Sequence, residues 1–184
     1  MSRQSVDTET TAADEVPSAG GFVPFFEHIA QSWENVVPET DRDVIVMFGL
    51  LETLTRAFRD IYAKALAPFD LNHAEWSALG RLRTSPPGVR RSPTDLRRLL
   101  GQTSAGTTRV LDKLEQAGLV RREPDPEDGR GSYVVLTPKG RRVADRSFRA
   151  VQARQAELLA SIDRQALGII ETDLQRLVEA LASG

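Results

Sequence analysis

The chain has 184 residues, of which 27% are charged and 40% hydrophobic, and its formal net charge is −2; this describes a folded chain of one domain with extensions. It has no cysteine and only two histidines, His28 and His73, which excludes disulfides, cysteine nucleophiles and any familiar metal-ligand spacing. No apolar run approaches the roughly 20 residues that span a bilayer and the N-terminus lacks the apolar stretch of a secretory signal, so cytoplasmic residence without a membrane partner is expected.

Residues 1–20 are Ser, Thr, Ala and acids with scarcely an apolar side chain, and read as a disordered tail. From Phe22 to Val37, the residues Phe25, Phe26, Ile29 and Trp33 recur at helical spacing until Pro38 ends the run. A long helix is expected from near Thr40 to Pro68. Thr40 and Asp43 stand in capping-box order, and Val44, Phe48, Leu51, Phe58, Ile61 and Ala65 trace its stripe. The next helix has Asn72 as its cap, Glu75 three residues on, and Trp76, Leu79 and Leu82 facing inward. A short fourth helix begins at Ser92-Pro93 with Asp95 completing the box, and ends by Gly101. Another follows almost at once, with Val110, Leu111, Leu114 and Ala117 apolar and Gly118 closing it.

Two helices joined by about three residues spell a helix-turn-helix. The second opens on Thr103, Ser104, Ala105, Gly106, Thr107 and Thr108, with Arg109 one turn further in. Small, hydroxyl-bearing residues there let a helix tip approach base edges and phosphates closely; plain helix capping is the competing explanation. With Lys113 these residues form the candidate DNA-contacting set on the helix. The stretch "LVRREPDPEDGRGSYVVLT" then places two β-type runs around a cluster of turn residues, the pattern of a hairpin wing. Arg130 at its tip is expected to enter a minor groove, with Asp128 directing the guanidinium by a charge-assisted bond.

Charge supports a polyanion partner. Residues 81–142 hold fourteen Lys/Arg against seven Asp/Glu, whereas the rest of the chain holds ten against nineteen. Two further amphipathic helices are expected, Pro138–Ser161 and Asp163–Ala182, the last with Leu167, Ile170, Leu174, Leu177, Val178 and Leu181 in register. Such apolar helices at both ends need cover, and a twofold dimer is the economical one; an intramolecular bundle is the competing explanation. The resulting division is a tail (1–20), N-terminal dimerisation helices (21–67), a winged helix-turn-helix lobe (68–142) and C-terminal dimerisation helices (143–184).

The run "LDKLEQAGLVRREPDPEDGRGSYVVLTPKG", with its Asp-x-Arg at Asp128 and Arg130, resembles the MarR family of winged-helix repressors from about Asp41 to Gly184. The resemblance implies a mainly helical homodimer with small β-wings, reading palindromic double-stranded DNA and released by small, often aromatic or phenolic, anionic ligands. A narrower resemblance, to the family's urate-responsive branch, rests on the added helix with Trp33, on "VVPETD" and on Glu75-Trp76. That branch's ligand positions fall on Trp33, on Ser77 beside Trp76, and on Val110 with Arg109 one place earlier. Ser77 replaces an acid and Val110 an arginine, which removes the charge pair that would read a purine anion. Two alternatives share these features: a DNA-binding protein without a small-molecule effector, and a winged helix used for protein contact. No enzyme is expected, since no nucleophile–base pair, phosphate loop or metal set converges, and no cofactor is implied.

Overall fold

The computed structural model describes residues 21–125 and 131–183. The chain divides into two compact units, residues 1–59 and 60–184.

The first unit holds α1 (Phe22–Glu34) and most of α2 (Arg42–Leu66). Gly49 on α2 sits directly under the Phe26 ring, where any Cβ would overlap the aromatic carbons; the glycine is what lets the two helices meet. Arg42 also pairs with Glu27 at 2.5 Å. The start of α2 departs from the expectation at Thr40. The Thr40 amide closes a turn on the Val37 carbonyl, and Asp41 caps instead, its Oδ1 accepting from the Asp43 and Val44 amides at 3.0 and 3.3 Å.

The second unit takes the end of α2, a 3-10 turn over Ala67–Phe69, α3 (His73–Arg83), α4 (Pro93–Leu100), α5 (Ser104–Gln116), β1 (Val120–Pro124), β2 (Ser132–Leu136), α6 (Pro138–Leu159) and α7 (Arg164–Ser183). Its centre is one apolar cluster in which Leu66, Leu79, Leu96, Leu111, Leu114, Val134 and Val151 are fully buried. Each such side chain contributes about 1.5–3 kcal/mol, so the cluster fixes how the three short helices pack beneath the hairpin. Among the described residues no helix is long and apolar enough to cross a membrane.

β1 and β2 pair antiparallel, from Val120 opposite Leu136 to Pro124 opposite Ser132. Period-two alternation turns Val134 and Leu136 inward. A third short segment joins them, because the Val134 amide donates to the Arg91 carbonyl at 2.8 Å. The strands are offset slightly from the apolar runs, for Leu119 and Thr137 are used elsewhere. Leu119 finishes α5: its amide donates to the Leu114 carbonyl while Gly118, at φ 68°, takes the left-handed turn. Thr137 caps α6, accepting from the Gly140 amide at 2.9 Å.

The other two expected capping boxes are present. Asn72 and Glu75 bond reciprocally at the start of α3, and Ser92 and Asp95 do so at α4. Hydrogen bonds from the Ser92 hydroxyl and amide hold the Asp95 carboxyl below its ordinary 3.8, against the opposing pull of burial. A depressed carboxylate contributes stability that is present above its unfolded pKa and lost as pH falls through the folded one. Ser92→Ala is therefore expected to cost about 1 kcal/mol near neutrality, and less as pH drops below 3.8. Urea unfolding of both proteins at pH 7 and in acid checks this; a cost that stays constant with pH would contradict it.

A candidate nucleic-acid interface

Between α4 and α5 the chain turns in three residues. Gly101, at φ 60°, makes the left-handed step that ends α4, and Thr103 starts α5 by accepting from the Gly106 amide at 3.1 Å. The tip that follows is asymmetric. Ser104, Ala105, Thr108 and Arg109 face solvent, as does the Thr103 cap, while Gly106 is half-buried. The Thr108 hydroxyl donates to the Ser104 carbonyl at 3.0 Å, which leaves its oxygen open as an acceptor. Arg109 makes no ion pair among the described residues.

Two members of the sequence-derived set are placed differently from the rest. Thr107 is only 3% exposed, and its hydroxyl donates to the Thr103 carbonyl at 3.0 Å; it belongs to the packed side of the helix. Lys113 is half-exposed but committed, with Nζ 3.2 Å from Oε1 of Glu75. Glu75 is itself buried, held by the Asn72 amide at 3.0 Å and the Asn72 side chain at 2.7 Å. A lone carboxylate at that depth would be costly, so Lys113 ties α5 to α3 by compensating it. Asp128 and Arg130 lie outside the described residues.

The other edge of α5 is braced by Arg122, which was not among the expected site residues. Arg122 on β1 bonds Asp112 at 2.5 Å and approaches Glu115 at 3.4 Å, and its amide donates to Glu115 at 3.2 Å. The only sequence cue was the strand alternation that sends Arg121 and Arg122 to opposite faces. Arg121 instead bonds Glu123 at 2.5 Å, and Arg90 reaches the same carboxylate. The Arg121 hydrogen bond is the main cause holding the Glu123 carboxyl below its usual range. The wing described here closes with the Asp125 amide on the Gly131 carbonyl at 3.0 Å.

Of the four positions expected to meet a ligand, one lies in the first unit and three in the second. Trp33 lies in the first unit and is 53% exposed. Val110 is buried in the apolar cluster of the second unit, which also holds Leu111 and Leu114. Ser77 is half-buried on α3. Trp76 does line a recess of about 450 Å³ between α3 and α6, together with Phe148, Arg149 and Gln152, and neither Ser77 nor Val110 is part of it. Trp76 also packs with Tyr62 and His73, ring centres 5.3 and 5.7 Å away. Gln155 of α6 donates to the Tyr62 hydroxyl at 3.1 Å.

A three-helix unit with a helix-turn-helix, followed directly by a two-stranded wing, defines the winged helix-turn-helix class of DNA-binding regulators. The MarR family model matches residues 69–131, from the turn before α3 to the residue preceding β2. The HTH-type transcriptional regulator PecS of Dickeya dadantii (strain 3937) is 30% identical over 112 residues, which are 61% of this chain and 68% of PecS. The apo form of MarR from E. coli superposes with a TM-score of 0.60 at 26% identity, over 70% of this chain and 93% of that one. A mutant MarR from E. coli complexed with operator DNA shares the fold, with a TM-score of 0.63 at 23% identity over 79% and 96% of the two chains. The chain belongs to the MarR family. It is a DNA-binding transcriptional regulator and not an enzyme.

Proposed function

We propose that the protein is a homodimeric repressor that reads an inverted repeat and is released by a small aromatic or anionic effector. The observation that carries the DNA-reading half is the division of labour on α5. Of its two cations, Lys113 is bound to a buried acid and Arg109 is unpaired among the described residues. Arg109 shares the outer surface with Ser104, Ala105 and Thr108, small residues that let the helix enter a major groove. Thr103 adds an exposed cap there. Arg130, steered by Asp128, supplies the flanking minor-groove contact.

Two further features support the dimer and the effector. No residue of α7 is buried, and Ile169, Ile170, Leu174, Val178 and Leu181 all face solvent. An apolar face of that length is the surface a second copy would cover. The recess beside Trp76 has aromatic walls in Trp76 and Phe148 and a cation in Arg149, which suits an aromatic anion. A ligand there that prefers one placement of α3 against α6 shifts the population away from the DNA-competent form.

Arg109→Ala is expected to weaken binding to a selected operator by about 1–3 kcal/mol, roughly 5- to 150-fold. Fluorescence anisotropy over a salt series measures it. Unchanged affinity at every salt concentration would remove α5 from the interface.

A further inference from the structure

A second recess, none of whose lining belongs to α5, encloses about 350 Å³ between the turn after α3, strand β2 and the first turn of α6. Four arginines line it. Two are compensated: Arg83 bonds Asp145 at 2.8 Å, and Arg90 pairs with Glu123 and lies over the Tyr133 ring. Arg91 and Arg141 have no carboxylate partner among the described residues. Arg91 is half-buried, and its one side-chain bond runs from Nε to the Ser85 hydroxyl at 3.1 Å. Among the described residues neither of its terminal nitrogens has a protein acceptor.

A guanidinium drawn into a recess loses hydration that only water or an anion restores. Its planar fork of donors matches the oxygens of a phosphate or carboxylate. Asp95 feels the charge of Arg91 without bonding it, and two cations with no carboxylate in bonding contact beside one cavity match a dianion better than a single charge. The rest of the lining includes Leu82, Val89 and Leu136, apolar surface suited to the body of an organic molecule. A duplex presents its phosphates on a convex backbone and meets exposed cations, so a partly buried guanidinium between leucines fits a free molecule instead.

We propose that this recess binds a small organic phosphate monoester, its phosphate held by Arg91 and Arg141 and its apolar part against Leu82 and Leu136. The site is separate from the recess beside Trp76, with which it shares only Arg83. Because Val134–Leu136 form one wall, occupancy bears directly on the strand that carries the wing.

Isothermal titration of the full chain with phenyl phosphate, at fixed ionic strength and pH 7.5, tests this. Saturable one-to-one binding is expected, weakened about tenfold or more by Arg91→Gln and by Arg141→Gln, the range for losing a charge-assisted bond. Arg141 is exposed, so its variant should fold as the parent does, which a thermal melt verifies. In the absence of the probe, Arg141→Gln should leave duplex affinity and its salt slope unchanged. The proposal is overturned by absent saturation, or by binding that both substitutions leave intact. It is equally overturned if Arg141→Gln alone lowers the salt slope for DNA, which would assign this arginine to the duplex backbone.

Discussion

Gly140→Ala is expected to cost about 3 kcal/mol and to lower the melting temperature by roughly 6–12 °C, although alanine is the better helix former. The reason is the clamp at the start of α6. A Cβ on Gly140 would overlap the carbonyl oxygen of Leu119 and come 2.8 Å from its carbonyl carbon, and the obstacle is backbone that cannot rotate away. The same carbonyl accepts the Thr137 amide at 3.0 Å. The Thr137 hydroxyl donates to the Gly118 carbonyl at 2.7 Å, and Lys139 donates to the Ala117 carbonyl at 2.8 Å. Three hydrogen bonds from two residues, Thr137 and Lys139, thus satisfy the open end of α5. In an unconstrained helix the same change would gain up to about 1 kcal/mol, so even the sign is diagnostic. Thermal unfolding decides it; a variant as stable as the parent would mean that α6 does not close on α5 in this way.

Lys113→Met is expected to cost about 2 kcal/mol. Removing one partner of a buried ion pair commonly costs about 3–5 kcal/mol because the other charge is stranded. The figure is discounted here because the Lys113 side chain is 50% exposed, against 3% for Glu75, and because Asn72 keeps its bonds to the carboxylate. Glu75→Gln combined with Lys113→Met should recover much of the loss, since no charge then remains buried. The DNA readout separates scaffold from contact. If Lys113 acts by holding α5 against α3, affinity falls while the salt slope is unchanged. A slope smaller by about one would show that Lys113 neutralises a phosphate.

The local signals were legible because each sits within a few residues of its effect. Ser92-Pro93 with Asp95, Asn72 with Glu75, and Gly101 and Gly118 at helix ends all act within one turn of chain. The wing was legible because β-type runs flank a dense cluster of turn residues. Thr107 could have been assigned inward as well, because it shares a face with Val110, Leu111 and Leu114 at helical spacing; the hydroxyl-rich run distracted from the period. The capping role of Glu75 was readable, whereas its burial and its bond to Lys113, 38 residues away, follow only from how α3 crosses α5. The role of Gly140 depends on a contact with Leu119, and the recess lined by Arg91 and Arg141 on the meeting of three separate segments. Helical periodicity found the apolar stripe of α7, but a stripe states only that cover is needed. Of the ligand positions taken from the urate-responsive branch, Val110 joins the core of the second unit, a place its apolar side chain suits.

The central claim is that the outer face of α5, in two symmetry-related copies, reads duplex DNA. Selection from a random duplex pool with the full-length protein, followed by binding over a salt series, tests it most directly. The expected result is an enriched inverted repeat whose half-sites are centred about one helical turn apart, roughly 34 Å, bound with an affinity that falls steeply with salt. A pool that yields no inverted repeat, or a single half-site bound by one copy, would contradict the claim.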